Sequence, residues 1–168
     1  QLEGHRHTAT KLAQIVKEAF QFTGTHLKDA PTEFLVAEFI RRRFQEEGLC
    51  CLDGPIVATN AHASDPHYEP AAEGSSVVRP GDWMLIDLWA KAVTPPFSPL
   101  SKVNPPGSPL SKVNPPVSPL SKGGIEGGVG SIYADITWVA YVGELIPERH
   151  QEVFDIVIGA RDAALRYL

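Results

Sequence analysis

The run Gly81-Asp82-Trp83-Met84-Leu85-Ile86-Asp87-Leu88-Trp89-Ala90 decides how the chain is read. Trp, Ile and Leu suit a pleated, half-buried surface, whereas Asp is depleted from strands. The run therefore reads as a buried strand with one carboxylate, Asp87, in its middle. An ionised carboxylate among apolar neighbours is costly unless it is paired, hydrogen-bonded or bound to a metal. A second run, Ile132-Tyr133-Ala134-Asp135-Ile136-Thr137-Trp138-Val139-Ala140, has the same peculiarity at Asp135. Two readings stand side by side. The aspartates are metal ligands on adjacent strands, where hard oxygens suit Mn²⁺, Zn²⁺ or Co²⁺; or each is half-exposed at a strand end or paired with an arginine.

Outward from the first strand, Arg79-Pro80-Gly81-Asp82 places Pro and Gly at the centre of a type II turn. Before it, Val77-Val78 suggests a short strand, and Pro55-Ile56-Val57-Ala58 another. Between these lies Thr59-Asn60-Ala61-His62-Ala63-Ser64-Asp65-Pro66-His67-Tyr68-Glu69-Pro70, a loop rich in polar groups. His67 is a candidate proton donor, or hydrogen-bond donor to a developing oxyanion. His62, five positions earlier, is a second polar group for the same pocket. The plain alternative for either is a surface histidine. His5 and His7 read as incidental.

Two helices precede the loop. Leu12, Ile15, Val16, Ala19 and Phe20 recur at helical spacing from about Thr8 to Phe22, with Thr23-Gly24 closing that helix. The second starts near Pro31 with Asp29 as its N-cap. Its apolar face is Leu35, Val36, Phe39, Ile40 and Phe44, its last turns carry Arg41, Arg42 and Arg43, and Gly48 ends it. After the Asp135 strand, Pro147 opens a third helix with Val153, Phe154, Val157, Ile158, Ala160, Ala164 and Leu168 on or near a buried side. This order predicts an α+β fold with a central antiparallel sheet flanked by helices.

Residues 95–124 depart from this pattern. They hold three copies of a ten-residue unit beginning Pro-Pro-Phe-Ser-Pro-Leu-Ser-Lys-Val-Asn. Proline density with few large apolar residues predicts extended, solvated, disordered chain. A glycine-rich tail follows, so residues 94–130 read as an insertion between a first part, 1–93, and a continuation, 131–168. Loop-closure entropy rises slowly enough with length for a fold to tolerate it. The Ser-Pro-Leu-Ser-Lys units are a peptide ligand for an aromatic groove, a set of serine modification sites, or a spacer.

The bulk composition excludes several classes. With 168 residues, 43% of them hydrophobic, the chain suffices for one domain with a sizeable core. A net charge of −5 offers nothing to nucleic acid or to an anionic membrane. No apolar run approaches the roughly 20 residues that span a bilayer. Cys50 and Cys51 are adjacent, a strained arrangement for a disulfide, and read as reduced thiols in a cytoplasmic setting. There is no Gly-rich phosphate loop, Cys-x-x-Cys pair or nucleophile elbow. The chain begins at Gln1 and stops at Leu168 within a helical pattern, features expected of a fragment.

Asn60 through Pro70, then Arg-Pro-Gly-Asp-Trp-Met-Leu-Ile-Asp at 79–87 and Tyr-Ala-Asp-Ile-Thr at 133–137, resemble the pita-bread metallopeptidases. The nearest branch is that of Xaa-Pro aminopeptidase, prolidase and the creatinase-like hydrolases. The resemblance covers nearly everything except the repeats. It implies a partial pita-bread fold, the N-terminal half of the catalytic domain, and a cytoplasmic homodimeric enzyme cutting proline-containing peptides. It further implies two divalent metal ions held by two aspartates, a histidine and two glutamates. Asp87 matches the first aspartate and Asp135 the bridging second, while His67 matches the loop histidine that contacts the substrate.

The sequence also departs from the family. Asn60 stands seven residues before His67, Trp138 follows Thr137 where arginine is common, and the repeats separate the two aspartates. The later histidine and both glutamates are not in this chain. The expectation is therefore a chain inactive by itself that binds metal weakly. The alternatives are a non-catalytic peptide- or protein-binding module and the aggregation-prone product of a disrupted gene.

Overall fold

The computed structural model describes residues 2–93 and 132–167. The repeat array and the expected 94–130 insertion lie outside the described residues. Within them the chain is α+β: α1 (Leu2–Thr25), α2 (Glu33–Glu46), β1 (Leu49–Cys50), β2 (Ile56–Thr59), β3 (Trp83–Ala92), β4 (Ala134–Tyr141) and α3 (Glu148–Tyr167). Short 3-10 turns at Leu27–Asp29 and Asn60–Ser64 complete it.

The strand around Asp87 is the centre of the sheet, pairing antiparallel with all three others. Its side chains alternate between two faces, as the period of two requires. Met84, Ile86, Leu88 and Ala90 are fully buried on one face, against a core built from Leu12, Ile15, Val16 and Ala19 of α1 and Val36, Ala37, Ile40 and Phe44 of α2. Trp83, Leu85, Asp87 and Trp89 are half-buried on the other. The expected buried strand is thus buried on one face only. Asp87 belongs to the other, which explains how it is tolerated.

The helices show where periodicity was insufficient. α1 begins at Leu2 and runs through Gly24 to Thr25. α2 is capped by Thr32, whose hydroxyl accepts from the Leu35 N–H at 3.2 Å, and not by Asp29. Pro31 and Thr32 are engaged elsewhere: the Pro31 carbonyl accepts from Val78 N, and Thr32 bridges Val77. The 77–78 segment, an isolated bridge and not the expected strand, therefore docks on the helix entrance. Thr32→Ala is expected to lower stability by about 1 kcal/mol in denaturant titration, the usual loss for an N-cap.

The buried face of α2 also includes Ala37 and Glu33, while Leu35 is exposed. The three arginines are neutralised locally, Arg43 by Glu18, Glu46 and Glu47, Arg41 by Glu38 and Arg42 by Glu46. They form no basic patch.

The third helix forms, but none of its described residues is buried. Val153, Phe154, Ile156, Val157 and Leu165 are exposed, and Ile158 is only half-buried. The expected buried side is corrected accordingly: no second layer of described residues covers it. Its foothold is aromatic. The His150 ring stacks on Trp83 at 5.5 Å and lies 5.7 Å from Tyr141, while Phe154 meets Trp83 edge-on. No described helix is long and apolar enough to cross a membrane.

Candidate metal centre

The register of β3 against β4 places the two singular aspartates. Asp87 lies opposite Thr137 and Asp135 opposite Trp89. Positions 87 and 89 share a face, as do 135 and 137, so Asp87 and Asp135 are diagonal neighbours on the face away from α1 and α2. Such pairs lie roughly 7–8 Å apart along the backbone, within reach of converging side chains.

Their electrostatics agree with this placement. Burial raises the Asp135 carboxyl above its ordinary value, and the negative charge of Asp87 raises it further. The Thr137 hydroxyl donates to Asp87 Oδ1 at 2.6 Å and orients that carboxylate. Neither aspartate has a cationic side chain as partner among the described residues, so the arginine-paired alternative does not hold.

A like-charge pair kept close without a counter-cation is the donor chemistry of a divalent ion site. Two hard carboxylates fit as part of such a site. Among the described residues, however, no cluster of three or more His, Cys, Asp or Glu side chains is placed to hold a metal. Removing the repulsion should stabilise the empty chain. Asp135→Asn is expected to raise Tm slightly, on the order of 1–2 °C given the solvent exposure of Asp135, as read by calorimetry in chelator.

The histidine loop lies at the Trp83 end of the sheet. Asn60, at φ 49°, joins β2 to the start of β3: its side chain accepts from Trp83 N at 2.9 Å and donates to Asp82 at 2.8 Å. Gly81, at φ 98°, closes the expected turn, with Asp82 N donating to the Arg79 carbonyl. His67 is exposed, and its N–H donates to the Asp65 side chain at 2.9 Å. It shares no hydrogen bond with either aspartate.

His62 is placed differently from His67. Its Nδ1 lies 3.1 and 3.0 Å from the two carboxylate oxygens of Glu33, and its ring stacks on Tyr68 at 4.1 Å. Glu33 is fully buried, yet its carboxyl is held below the ordinary carboxylate range. Burial alone would raise it; hydrogen bonds from Tyr68, Ser76 N, Thr59 and His62 outweigh that. Glu33 is not among the residues that motif and loop composition single out. A signal was there to use: Glu33 falls on the same helical stripe as Val36, Ala37, Ile40 and Phe44.

A family comparison adds lineage to geometry. The family model described as metallopeptidase family M24 matches residues 7–93, more than half of the chain. The chain belongs to metallopeptidase family M24. The matched span contains most of α1, all of α2, the histidine loop and Asp87, and ends before Asp135. Among curated proteins, none matches the sequence. The open antiparallel sheet with three helices is consistent with a partial M24 fold.

Proposed function

We propose that this M24 chain carries part of the catalytic machinery of a divalent-metal peptidase that cleaves bonds next to proline. The observation carrying this reading is the diagonal Asp87–Asp135 pair on the open face, oriented by Thr137 and lacking a cationic partner among the described residues. When bound, divalent ions supply Lewis-acid polarisation of a scissile carbonyl. This chain's own contribution is to hold two carboxylates in fixed register and to present His67 on the loop. His67, exposed and adjacent to Tyr68, serves as hydrogen-bond donor to the substrate, and His62 contributes a second polar contact.

The proline preference and the homodimer rest on the resemblance of the 60–70 and 79–87 segments to the Xaa-Pro branch, and the cytoplasmic setting on the reading of Cys50 and Cys51 as reduced thiols. Two carboxylates are too few for tight binding, so the chain by itself is inactive and holds metal weakly.

Calorimetric titration of the 168-residue chain with Mn²⁺ should show weak binding, about millimolar, that disappears in Asp87→Ala. Binding that is unchanged in that variant sinks the metal assignment. Hydrolysis of an Xaa-Pro peptide by the chain with Mn²⁺, lost in Asp87→Ala, would overturn its inactivity.

A further inference from the structure

The Glu33 cluster lies outside the aspartate pair, and its connections reach the loop that carries His67. One carboxylate gathers donors from four places along the chain. Oε1 accepts from Thr59 N at 2.6 Å and Thr59 Oγ1 at 2.8 Å; Oε2 accepts from Tyr68 OH at 2.5 Å and Ser76 N at 2.7 Å. His62 Nδ1 approaches both oxygens. The first four donors already match the roughly four acceptor sites of an ionised carboxylate, and His62 is shared between its two oxygens.

Glu33 also anchors the far side of the loop through its own backbone, its N–H donating to the Ser76 carbonyl at 3.0 Å. Between the two side-chain anchors, His62 and Tyr68, the backbone is folded by turn bonds from Asp65 N to the His62 carbonyl and from Tyr68 N to the Asp65 carbonyl. His67 is therefore suspended between two residues tied to the same buried group.

The chemistry of the contact also sets a proton. An ionised carboxylate only accepts, so Nδ1 of His62 must donate to it. Neutral His62 is then the Nδ1–H tautomer, and its Nε2, which has no hydrogen-bond partner among the described residues, carries a lone pair. The ring is 32% exposed, so that lone pair is open to a ligand.

We propose that Glu33 is the positioning residue of the histidine loop: it fixes the backbone from which His67 projects, and it holds His62 with Nε2 as acceptor for an N–H group of the bound peptide. The peptide-facing part rests on the peptidase reading above. The loop-holding part stands on the contacts alone.

The test uses the 168-residue chain with ¹⁵N-labelled histidine, above the histidine titration range at about pH 8.5. His62 is expected as the Nδ1–H tautomer, in contrast to the tautomer mixture of exposed His7. In Glu33→Gln, His62 should shift toward the His7 pattern. Amide exchange at Thr59 and Ser76 should accelerate about tenfold, with Ile86 and Leu88 still protected. An Nε2–H tautomer in the parent chain, or an unchanged tautomer and exchange in Glu33→Gln, overturns the proposal.

If Glu33→Gln also loses Ile86 and Leu88 protection, Tyr68→Phe decides, because it keeps the carboxylate and removes one anchor. Faster exchange at His67 and Tyr68 with the His62 tautomer retained supports the proposal; unchanged exchange overturns it. Failure of the peptidase reading shows separately, as Mn²⁺ binding that is indifferent to Asp87→Ala. That result removes the peptide-facing role of Nε2 and leaves the loop-holding role standing.

Discussion

Glu33→Ala is expected to destabilise the chain by about 3–5 kcal/mol, the range for removing one partner from a buried charged network. The loss is large because the partners remain. Thr59 N and Oγ1, the Tyr68 hydroxyl, Ser76 N and His62 Nδ1 would all lose their acceptor at once, and each buried donor left unmade costs about 1–3 kcal/mol unless water replaces the carboxylate. The effect depends on pH with a definite sign. Folding holds the Glu33 carboxyl below its ordinary value of 4.5. Its contribution is therefore complete above that value and is lost as pH falls through the lower, folded value. Urea titrations of parent and variant should be far apart at neutral pH and converge in acid. A gap that widens in acid would contradict the assignment.

Gly54→Ala is expected to cost about 2–5 kcal/mol, from two sources that add. Gly54 has φ 84°, a conformation that penalises any L side chain by roughly 1–2 kcal/mol. A Cβ there would also lie 2.7 Å from Cη2 of Trp89, and 3.1 and 3.2 Å from two further ring carbons. Overpacking of that kind costs about 1–3 kcal/mol. The approach follows from register: β1 pairs with β3 at Lys91 and Ala92 and β2 pairs from Asp87, so the connecting segment passes Trp89 between them. Gly74→Ala separates the two contributions, because Gly74 has φ 92° with nothing within 4 Å of its Cβ position. It should lose only the backbone part. Equal losses at the two positions would rule out the Trp89 contact as a cause.

The residues show which features of this fold were legible beforehand. Asp87 and Asp135 stood out because each interrupts an apolar, Trp-containing run, and interruption is a local signal. Their convergence on one face followed from strand alternation once the strands were aligned. The core faces of the first two helices were readable in part: Leu12, Ile15, Val16, Ile40 and Phe44 repeat at the helical period and are buried, whereas Leu35 is exposed and Glu33 and Ala37 were not expected. The Thr32 cap was missed because the docking of 77–78 onto Pro31 and Thr32 is a long-range contact with no local trace. The exposure of α3 could not be read either, since periodicity marks an apolar face but not what covers it. His62 was paired with His67 by proximity along the chain, and the structure divides them: one is tied to a buried acid, the other stands free on the loop.

The pairing of β3 with β4 bears on how such a chain can vary. Residues 93–133 separate the two strands in sequence, and eight facing pairs, from Trp83 with Tyr141 to Ala90 with Ala134, hold their alignment. Alignment is written within the strands. A slip of one position would turn Asp135 toward α1 and bring Ala134, now buried, to the open face. The paired strands thus act as a ruler. The distance between the two carboxylates is a measurement made within that pairing.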